Sequence, residues 1–331
     1  MLLLEEEEKK RVKGTIINKF RGDVSILKPG LRMLEEKINT SVLGVIPYFH
    51  LDIEDEDSLT ERFRKKSRSG LAKIAVIRLP RISNFTDIAP LEAVDELDVS
   101  YVSNISQFGD PDVVIIPGSK NTISDLLWMR QNGLEGKILR HAAKGGIVFG
   151  ICGGYQMLGQ SISDPTGAEQ KGTVRGMGLL PVTTVFEQEK RRTRVSGRFA
   201  KVGGALAEMS GVCYEGYEIH MGRTVLSKGT VPLVYMEEEG EQRQDGAQSD
   251  HVYGCYMHGI FDMSETVKTF LAAVLRKKGI DPSKITVRDR NAYKEEQYDR
   301  LASIVRENLN MEAVYKIIEK GNEASCSLLS E

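Results

Sequence analysis

Apolar runs and segments of helical periodicity alternate through the middle of the chain. Asp112 to Ile116 is nearly all valine and isoleucine, as strands buried in a parallel sheet are, and Lys73 to Leu79 opens a further strand. Ile123 to Gln131 and Leu134 to Lys144 carry apolar residues at helical spacing. This alternation predicts an α/β fold with a doubly wound, mostly parallel sheet.

The second half of the chain changes character. Four stretches have the composition of β-strands: Met177 to Phe186, Thr193 to Lys201, Val231 to Met236 and Val252 to Met257. After them, apolar residues between Tyr298 and Ile318 recur at helical spacing. We expect that apolar face to pack in a core rather than to bind a partner.

The N-terminal segment predicts a small strand–helix–strand unit. Its strands are Val12 to Asn18 and Val42 to Ile46, and its amphipathic helix is Leu27 to Ile38. Such a unit cannot bury both faces of a sheet, so we expect it to be part of something larger. Residues 58–70 follow as a polar, basic stretch without an apolar period, which indicates a solvated linker.

Composition agrees with a cytoplasmic enzyme. The 331 residues carry a formal net charge of −2, which gives no sign of nucleic-acid or membrane binding. Four cysteines without a C-x-x-C pair argue against a zinc site and a disulfide framework, and we expect no metal site in this chain. No apolar run approaches the roughly 20 residues needed to span a bilayer.

A cysteine with glycines on both sides is the strongest candidate for a catalytic residue. The run Ile147 to Phe149 leads into Gly150-Ile151-Cys152-Gly153-Gly154, which has the form of a nucleophile elbow, G-x-C-x-G. A tight strand-to-helix turn favours glycine on both sides, and a helix N-terminus stabilises a reactive thiolate. The alternative interpretation is a buried cysteine in a glycine-rich turn.

A catalytic cysteine needs a base that is near in space rather than in sequence. His258 is preferred because it ends a predicted parallel strand, and active sites of α/β sheets gather at strand ends. His220 is its serious rival. For the remaining histidines solvated surface roles are favoured: His50, His141 and His251.

Several stretches resemble one family. Gly150 to Gln156 (GICGGYQ) with Tyr256 to Gly259 (YMHG) is similar to class I, triad-type glutamine amidotransferase domains. Four further stretches narrow the resemblance to the cobyric acid synthase family: 79–87 (LPRISNFTD), 117–122 (PGSKNT), 14–23 (GTIINKFRGD) and 43–48 (LGVIPY). The resemblance extends from about Val12 to Ile318. It implies a flavodoxin-like domain, with a mostly parallel sheet and helices on both faces, and a partial P-loop-type α/β domain before it.

The resemblance also implies roles for individual residues. Cys152 and His258 would form a catalytic dyad, because Ile260 stands where most members of the wider superfamily have a glutamate that orients the imidazole. Asp262 is a candidate for that orienting role. Backbone N–H groups of Gly153 and of Gly118 or Ser119 would stabilise the oxyanion. Three more residues are possible supporting residues, either as a structural cluster near the mouth of the active site or with a direct role in glutamine handling or in communication between the two halves. None of them is assigned as catalytic: Glu218, His220 and Arg223.

The N-terminal unit would be the end of an ATP-dependent synthetase domain. On this interpretation residues 1–66 are its remnant and residues 71–331 are the amidotransferase domain with a C-terminal helical extension. The sequence contains no G-x-x-x-x-G-K-[ST] phosphate loop, so ATP and Mg²⁺ are expected in a missing half and no cofactor in this chain. A fragment, a coding start set too late, or a separate protein would each explain this.

Three functions remain open on the sequence alone. The first is glutamine hydrolysis that supplies ammonia for ATP-dependent amidation of a corrinoid, adenosylcobyrinic acid a,c-diamide. The second is the glutaminase subunit of a cell-wall lipid amidating complex, against which the stretch Asn18 to Asp23 counts. The third is a non-catalytic docking module, against which the intact Cys152 and His258 count.

Overall fold

The computed structural model describes residues 1, 3–49, 51, 70–238, 241–284 and 290–327. His50 and nearly all of the predicted linker lie outside the described residues. The helices are α1 (Glu6–Arg11), α2 (Val24–Ile38), α3 (Ala89–Glu92), α4 (Thr122–Gln131), α5 (Leu134–Ala143), α6 (Gly153–Leu158), α7 (Ser264–Lys277), α8 (Arg290–Asn308) and α9 (Met311–Ser327).

The strands fall into two larger sheets and two short pairs. In chain order they are β1 (Thr15–Phe20), β2 (Val42–Pro47), β3 (Ala72–Ile77), β4 (Ile82–Ser83), β5 (Leu97–Val102), β6 (Val113–Ile116), β7 (Gly118–Ser119), β8 (Ile147–Ile151), β9 (Ser161–Asp164), β10 (Gly172–Arg175), β11 (Val182–Phe199), β12 (Cys213–Leu226), β13 (Val234–Glu238), β14 (Glu241–Asp245), β15 (Ala247–Ser249) and β16 (Val252–Cys255).

Contacts divide the chain into two compact units. The first unit holds residues 1–54 and 291–331, and the second holds residues 55–290. The predicted strand–helix–strand element is confirmed in the first unit, where β1 and β2 pair in parallel with α2 between them in sequence. Asp23 begins α2 by accepting a hydrogen bond from the Ser25 backbone N–H at 2.8 Å.

The C-terminal helices belong to the first unit by their contacts, whereas the predicted 71–331 domain included them as an extension. Leu309, between α8 and α9, forms a β-bridge with Gly44, and the Asn310 N–H donates to the Leu43 carbonyl at 2.7 Å. The spacing of apolar residues in the two helices cannot predict such backbone pairing, which explains why the sequence-based prediction placed the helices with residues 71–331. The assignment of residues 1–66 to a synthetase remnant stays a prediction.

The core of the second unit is a six-stranded sheet. Its order is β15-β16-β8-β6-β3-β5, with every neighbouring pair parallel except β15 with β16. Every residue of β6 and β8 is buried, which explains their continuous valine and isoleucine content. The predicted mixed α/β fold with a parallel sheet is confirmed. Parallel strands end at one edge, so the residues after β3, β6, β8 and β16 are brought together there.

A second sheet carries the stretches with β-strand composition. Its order is β10-β9-β11-β13-β14, and β12 pairs with β11 in a long antiparallel hairpin. Met257 and His258 follow β16, and a β-bridge joins His258 to Tyr217 of β12. This bridge brings the middle of the hairpin beside the edge at which the parallel strands end. Within the described part of the chain, no helix is long and apolar enough to cross a membrane.

Candidate active site

Cys152 lies at the turn between the buried strand β8 and the short helix α6. Its backbone has φ 51° and ψ −106°, a conformation that residues with a side chain rarely adopt. The turn is held by the Cys152 N–H, which donates to the Cys255 carbonyl at 2.9 Å, and by the Gln156 N–H, which donates to the Cys152 carbonyl at 3.1 Å. A strained residue held this firmly at a strand end has the geometry of a nucleophile elbow.

The glycines around Cys152 are required by close backbone approach. A Cβ on Gly154 would lie 1.9 Å from the Ile116 carbonyl oxygen, and one on Gly150 would lie 2.7 Å from the Tyr155 backbone nitrogen. Neither position has room for a methyl group. The predicted need for glycine on both sides of the cysteine is therefore confirmed.

A cavity of about 290 Å³ opens at this edge of the sheet. The Cys152 side chain is largely buried at its wall, and its thiol donates to the Ile219 carbonyl of β12 at 3.7 Å. The lining residues come from several separate stretches: Ser83, Asn84, Ser119, Lys120, Thr122, Cys152, Gln156, Glu169, Phe186, Ile219, His220 and Met221. The volume suits a small, amino-acid-sized ligand better than a nucleotide or a tetrapyrrole.

His258 is buried beside the same wall, and both of its ring nitrogens have partners. Nδ1 lies 2.7 Å from Asp87 Oδ2, and Nε2 lies 2.9 Å from Asn84 Nδ2. The ring of Tyr217 stacks on the imidazole, with 5.3 Å between the ring centroids. Since a carboxylate only accepts hydrogen bonds, Nδ1 must carry a proton, and this fixes the orientation of the ring.

The pKa of His258 results from opposing effects. Burial alone would lower it, but the hydrogen bonds and charges of Asp87 and Cys152 outweigh burial and raise it to about 10. An imidazolium is therefore favoured at neutral pH. The Asn84 amide suits both states, because it offers an N–H to a neutral Nε2 and, after rotation, its oxygen to a protonated one.

The predicted oxyanion residues converge on Cys152. Gly118 and Ser119 form the short strand β7, which comes directly after the buried strand β6 in sequence. This strand pairs with β4. A Cβ on Gly153 would lie 2.9 Å from the Ser119 backbone nitrogen, and one on Gly118 would lie 3.1 Å from His258 Cε1. The backbone of this turn thus lies between the cysteine and the histidine.

Of the three possible supporting residues, Glu218 and His220 lie close together and Arg223 lies apart from the cavity. Glu218 is fully buried and forms ion pairs with Arg243 and with Arg191, whose Nε lies 3.1 Å from Oε2. Burial would raise the pKa of Glu218, but its interactions with His220 and the two arginines lower it. Arg223 is exposed and is not among the residues that line the cavity.

His220 lines the cavity, but its contacts hold it in the wall. Its Nδ1 donates to the Gly222 carbonyl at 2.8 Å, and its Nε2 lies 3.6 Å from Glu218 Oε1. The ring stacks on Tyr256, with centroids 3.7 Å apart. Between the two candidate bases, this geometry favours His258, whose Nδ1 lies 2.7 Å from Asp87 and whose pKa is raised by Asp87 and Cys152.

Two cavity residues were not singled out from the sequence. Gln156 is buried, four residues after Cys152 on the first turns of α6, and that spacing was a usable signal. Its amide nitrogen donates to the Tyr256 hydroxyl at 3.1 Å, and its oxygen accepts from the Thr122 hydroxyl at 3.2 Å. Glu169 comes from the loop between β9 and β10 and accepts from Thr122 and from the Ile123 N–H, each at 3.3 Å.

Asp87 is the last residue of the stretch 79–87 that carries the family resemblance, and no role was predicted for it. The structure places its carboxylate on His258, so the partner of Nδ1 is Asp87 and not the predicted candidate Asp262. Asp262 lies near the Gly259 backbone instead, with Oδ2 2.8 Å from the position of a Cβ on Gly259. Ile260, two residues after the histidine, is fully buried and apolar.

Residues 73–266 match the model of the CobB/CobQ-like glutamine amidotransferase domain. A cobyric acid synthase of Ruminiclostridium cellulolyticum is 55% identical over 327 residues, which cover 98% of this chain and 64% of that protein.

Two further relatives give the same picture. Cobyric acid synthases of Lachnoclostridium phytofermentans and Alkaliphilus metalliredigens are 46% and 47% identical, and each match covers 96% of this chain. The chain spans 64 or 65% of the length of these three curated relatives.

Proposed function

The chain belongs to the CobB/CobQ-like glutamine amidotransferase family, and from that membership we propose that its second unit hydrolyses glutamine at Cys152. The observation that carries this proposal is the position of the Cys152 thiol. It lies in a strained strand-to-helix turn, at the wall of a small cavity, and acts on the pKa of a buried histidine. A cysteine that served only as packing would need neither the strained backbone nor the cavity.

In the first half of the proposed reaction, the thiol proton of Cys152 has passed to His258 Nε2, and the resulting thiolate attacks the side-chain amide carbon of glutamine. A C–S bond forms, and the carbonyl oxygen becomes an oxyanion near the N–H groups of Gly153 and of Gly118 or Ser119. The protonated His258 then gives its Nε2 proton to the departing nitrogen. The C–N bond breaks, ammonia leaves, and a γ-glutamyl thioester remains on Cys152.

Water completes the cycle. Neutral His258 accepts a proton from water at Nε2 as the water oxygen attacks the thioester carbon. The C–S bond breaks, glutamate leaves, and the thiolate–imidazolium pair is restored. The ring must keep one orientation through both halves, because the same nitrogen first donates and then accepts the proton.

The use of the ammonia is a further part of the proposal. We infer that it supports ATP-dependent amidation of adenosylcobyrinic acid a,c-diamide to cobyric acid, and the names of the three relatives support this inference. Those names belong to proteins about half as long again as this chain. The present residues do not fit ATP: the sequence lacks a phosphate loop, and Gly118-Ser119-Lys120 lacks its spacing. We therefore propose that ATP and Mg²⁺ bind to the part of the relatives that this chain does not match.

Covalent labelling tests the glutaminase proposal. The glutamine analogue 6-diazo-5-oxo-norleucine should modify the wild-type chain once, and peptide mass spectrometry should place the adduct on Cys152. Cys152→Ser should remain unlabelled and release no glutamate from glutamine, with its melting temperature nearly unchanged because the side chains are similar in size. Labelling at a different cysteine, or glutamate release by the Cys152→Ser variant at the wild-type rate, would refute the proposal.

The cell-wall lipid and docking alternatives make different predictions for the same chain. A docking module would give no adduct and no glutamate even when the wild-type protein is folded. The glutaminase subunit of a lipid-amidating complex would give the adduct, but its ammonia would not serve a corrinoid. Product analysis in the complete enzyme separates that alternative, as described in the Discussion.

A further inference from the structure

The residue that orients His258 is separated from it by 171 positions in the sequence. Asn84 and Asp87, three residues apart, contact the two nitrogens of the imidazole. A 3₁₀-turn at Phe85–Ile88 follows Asn84, and the Asp87 N–H donates to the Asn84 carbonyl at 3.0 Å. One short, internally bonded segment therefore holds the ring at both ends.

Asp87 is built into the wall rather than resting on it. Its side chain is 2% exposed, and both carboxylate oxygens accept hydrogen bonds. Oδ2 faces His258 Nδ1 at 2.7 Å, and Oδ1 accepts from the Gly259 backbone N–H at 2.9 Å. The carboxylate is thus fixed relative to both the imidazole and the backbone that carries it.

Burying a carboxylate is costly unless the charge is compensated. Here one oxygen meets a backbone N–H and the other meets a histidine whose charged form is favoured by this contact. Cys152 is the other ionisable group that acts on His258, and Tyr217 covers one face of the ring. No other described hydrogen bond would hold Nδ1 in place.

We propose that Asp87 is the positioning acid of the Cys152–His258 pair. This inference rests on the proposed glutaminase function, in which Nε2 must face the cysteine. By accepting the Nδ1 proton, Asp87 fixes the tautomer and the ring orientation that direct Nε2 toward Cys152 and the substrate. The catalytic proton moves between sulfur, Nε2, the departing ammonia and water, and none is transferred to the Asp87 carboxylate.

The buried apolar Ile260 makes this assignment necessary. Apart from Asp87, the described hydrogen bonds of the ring come from Asn84, which can satisfy either protonation state and so enforces neither. Asp87 supplies the missing constraint from a different strand end. The site is therefore described better as a triad, Cys152–His258–Asp87, than as a dyad.

Asp87→Asn is the first test, with Asp245→Asn as the matched control. Asp245 is also a buried carboxylate that accepts a backbone N–H close to the histidine, from Tyr256 at 2.9 Å, but its described hydrogen bonds do not include the His258 ring. Asp87→Asn should lower kcat on the order of 10²- to 10⁴-fold with KM little changed, since only ring orientation and imidazolium stability are affected. Asp245→Asn should retain wild-type kcat.

The pKa of His258, measured by titration, distinguishes a positioning role of Asp87 from a purely structural one. A purely structural role would leave that pKa unchanged when Asp87 is replaced. In ¹⁵N-histidine NMR spectra, loss of the carboxylate should bring the His258 titration from near 10 down toward or below the ordinary value of 6.5. Asp245→Asn should leave it unchanged. An unchanged titration and kcat in Asp87→Asn, or equal effects in the two variants, would overturn the proposal.

Asp87→Glu keeps the test decisive if Asp87→Asn fails to fold. It retains the charge but displaces it by one methylene, so kcat should fall while the His258 titration stays above its ordinary value. A titration at the ordinary value in this variant would also overturn the assignment. The NMR titration needs no turnover, so a wild-type chain that hydrolyses no glutamine would refute the glutaminase proposal while leaving the role of Asp87 separately measurable.

Discussion

Ser119 and Gly153 approach so closely that a Cβ on Gly153 would lie 2.9 Å from the Ser119 backbone nitrogen. Thr122 is nearly as near, with its hydroxyl oxygen 3.2 Å from the same position. The two predicted sources of oxyanion stabilisation are thus in contact through main-chain atoms, one after β6 and the other after β8. Any side chain at position 153 must push β7 away from the elbow.

Gly153→Ala should therefore reduce glutamine hydrolysis without removing the nucleophile. The variant keeps the N–H of position 153, but its methyl group would displace the Ser119 N–H. Since loss of one oxyanion donor costs about 10²- to 10³-fold in kcat, we expect a fall of up to this order with a smaller change in KM. Steady-state glutamate release measures both constants. Labelling of Cys152 by iodoacetamide should persist, which would show that the thiol is still present and accessible.

Gly136→Ala provides the matched control. Gly136 lies inside α5, and a Cβ there meets nothing within 4 Å. Because glycine destabilises a helix interior by roughly 0.5–1 kcal/mol relative to alanine, this variant should be slightly more stable and fully active. If Gly136→Ala lost as much activity as Gly153→Ala, the close approach of Ser119 would not be the cause.

Local features of the site could be predicted from the sequence because their signals are local. The elbow at Cys152 is encoded by an apolar strand, flanking glycines and a helix, all within about a dozen residues. The strand β6 can be predicted from its continuous valine and isoleucine, and parallel strands bring their ends to one edge of a sheet. This reasoning selected Cys152 and His258 as candidates, and their catalytic roles stay a prediction.

Asp87 and Glu169 could not be assigned in the same way. Asp87 meets His258 only because β3 and β16 end at the same edge of the sheet. No local sequence pattern around either residue indicates that the other lies beside it. Glu169 reaches the cavity from a loop that Asp164 holds in shape. The backbone N–H groups of residues 167–170 all donate hydrogen bonds to the Asp164 carboxylate. Contacts of this kind depend on strand order and loop conformation rather than on residue periodicity.

The backbone strain at Cys152 should be measurable as stability. Cys152→Gly and Cys152→Ala both lack the thiol, but only glycine adopts φ 51° and ψ −106° without steric cost. Strain of about 1–3 kcal/mol, less about 0.4–1 kcal/mol for the greater freedom of unfolded glycine, should leave Cys152→Gly the more stable variant. Urea unfolding of the two proteins measures the difference. Alanine proving equal to or more stable than glycine would mean that the turn is unstrained.

The buried carboxyl of Asp245 should make the wild-type protein pH-sensitive in a defined range. Burial, with a smaller effect of Glu218, raises its pKa from 3.8 to about 6. A raised carboxyl pKa means that the folded state disfavours ionisation, so this stability is present below pH 3.8 and is lost as pH rises to about 6. The loss amounts to about 3 kcal/mol at most, by the value of 1.4 kcal/mol per pKa unit.

Asp245→Asn should remove this dependence. Asparagine can still accept the Tyr256 N–H but cannot ionise, so the variant should gain stability relative to wild type between pH 4 and pH 6. The free energy of unfolding from urea titrations at a series of pH values tests this. A difference between the two proteins that is constant with pH would contradict the raised pKa of Asp245.

The final prediction concerns the destination of the ammonia. The chain would be joined to the part of the Ruminiclostridium cellulolyticum relative that it does not match, to give a protein of full length. With glutamine, ATP, Mg²⁺ and adenosylcobyrinic acid a,c-diamide, this enzyme should add amides stepwise. Mass spectrometry should show each step as a decrease of roughly one mass unit, since OH is replaced by NH₂.

Cys152→Ser in the same protein separates the supply of ammonia from its use. Glutamine should fail as the nitrogen donor, because no thioester can form, while free ammonium salts should still support amidation of the corrinoid. Gly136→Ala serves as the control that keeps glutamine-dependent amidation. An unmodified diamide with the unsubstituted protein, together with amidation of a cell-wall lipid precursor, would assign the glutaminase to the alternative pathway.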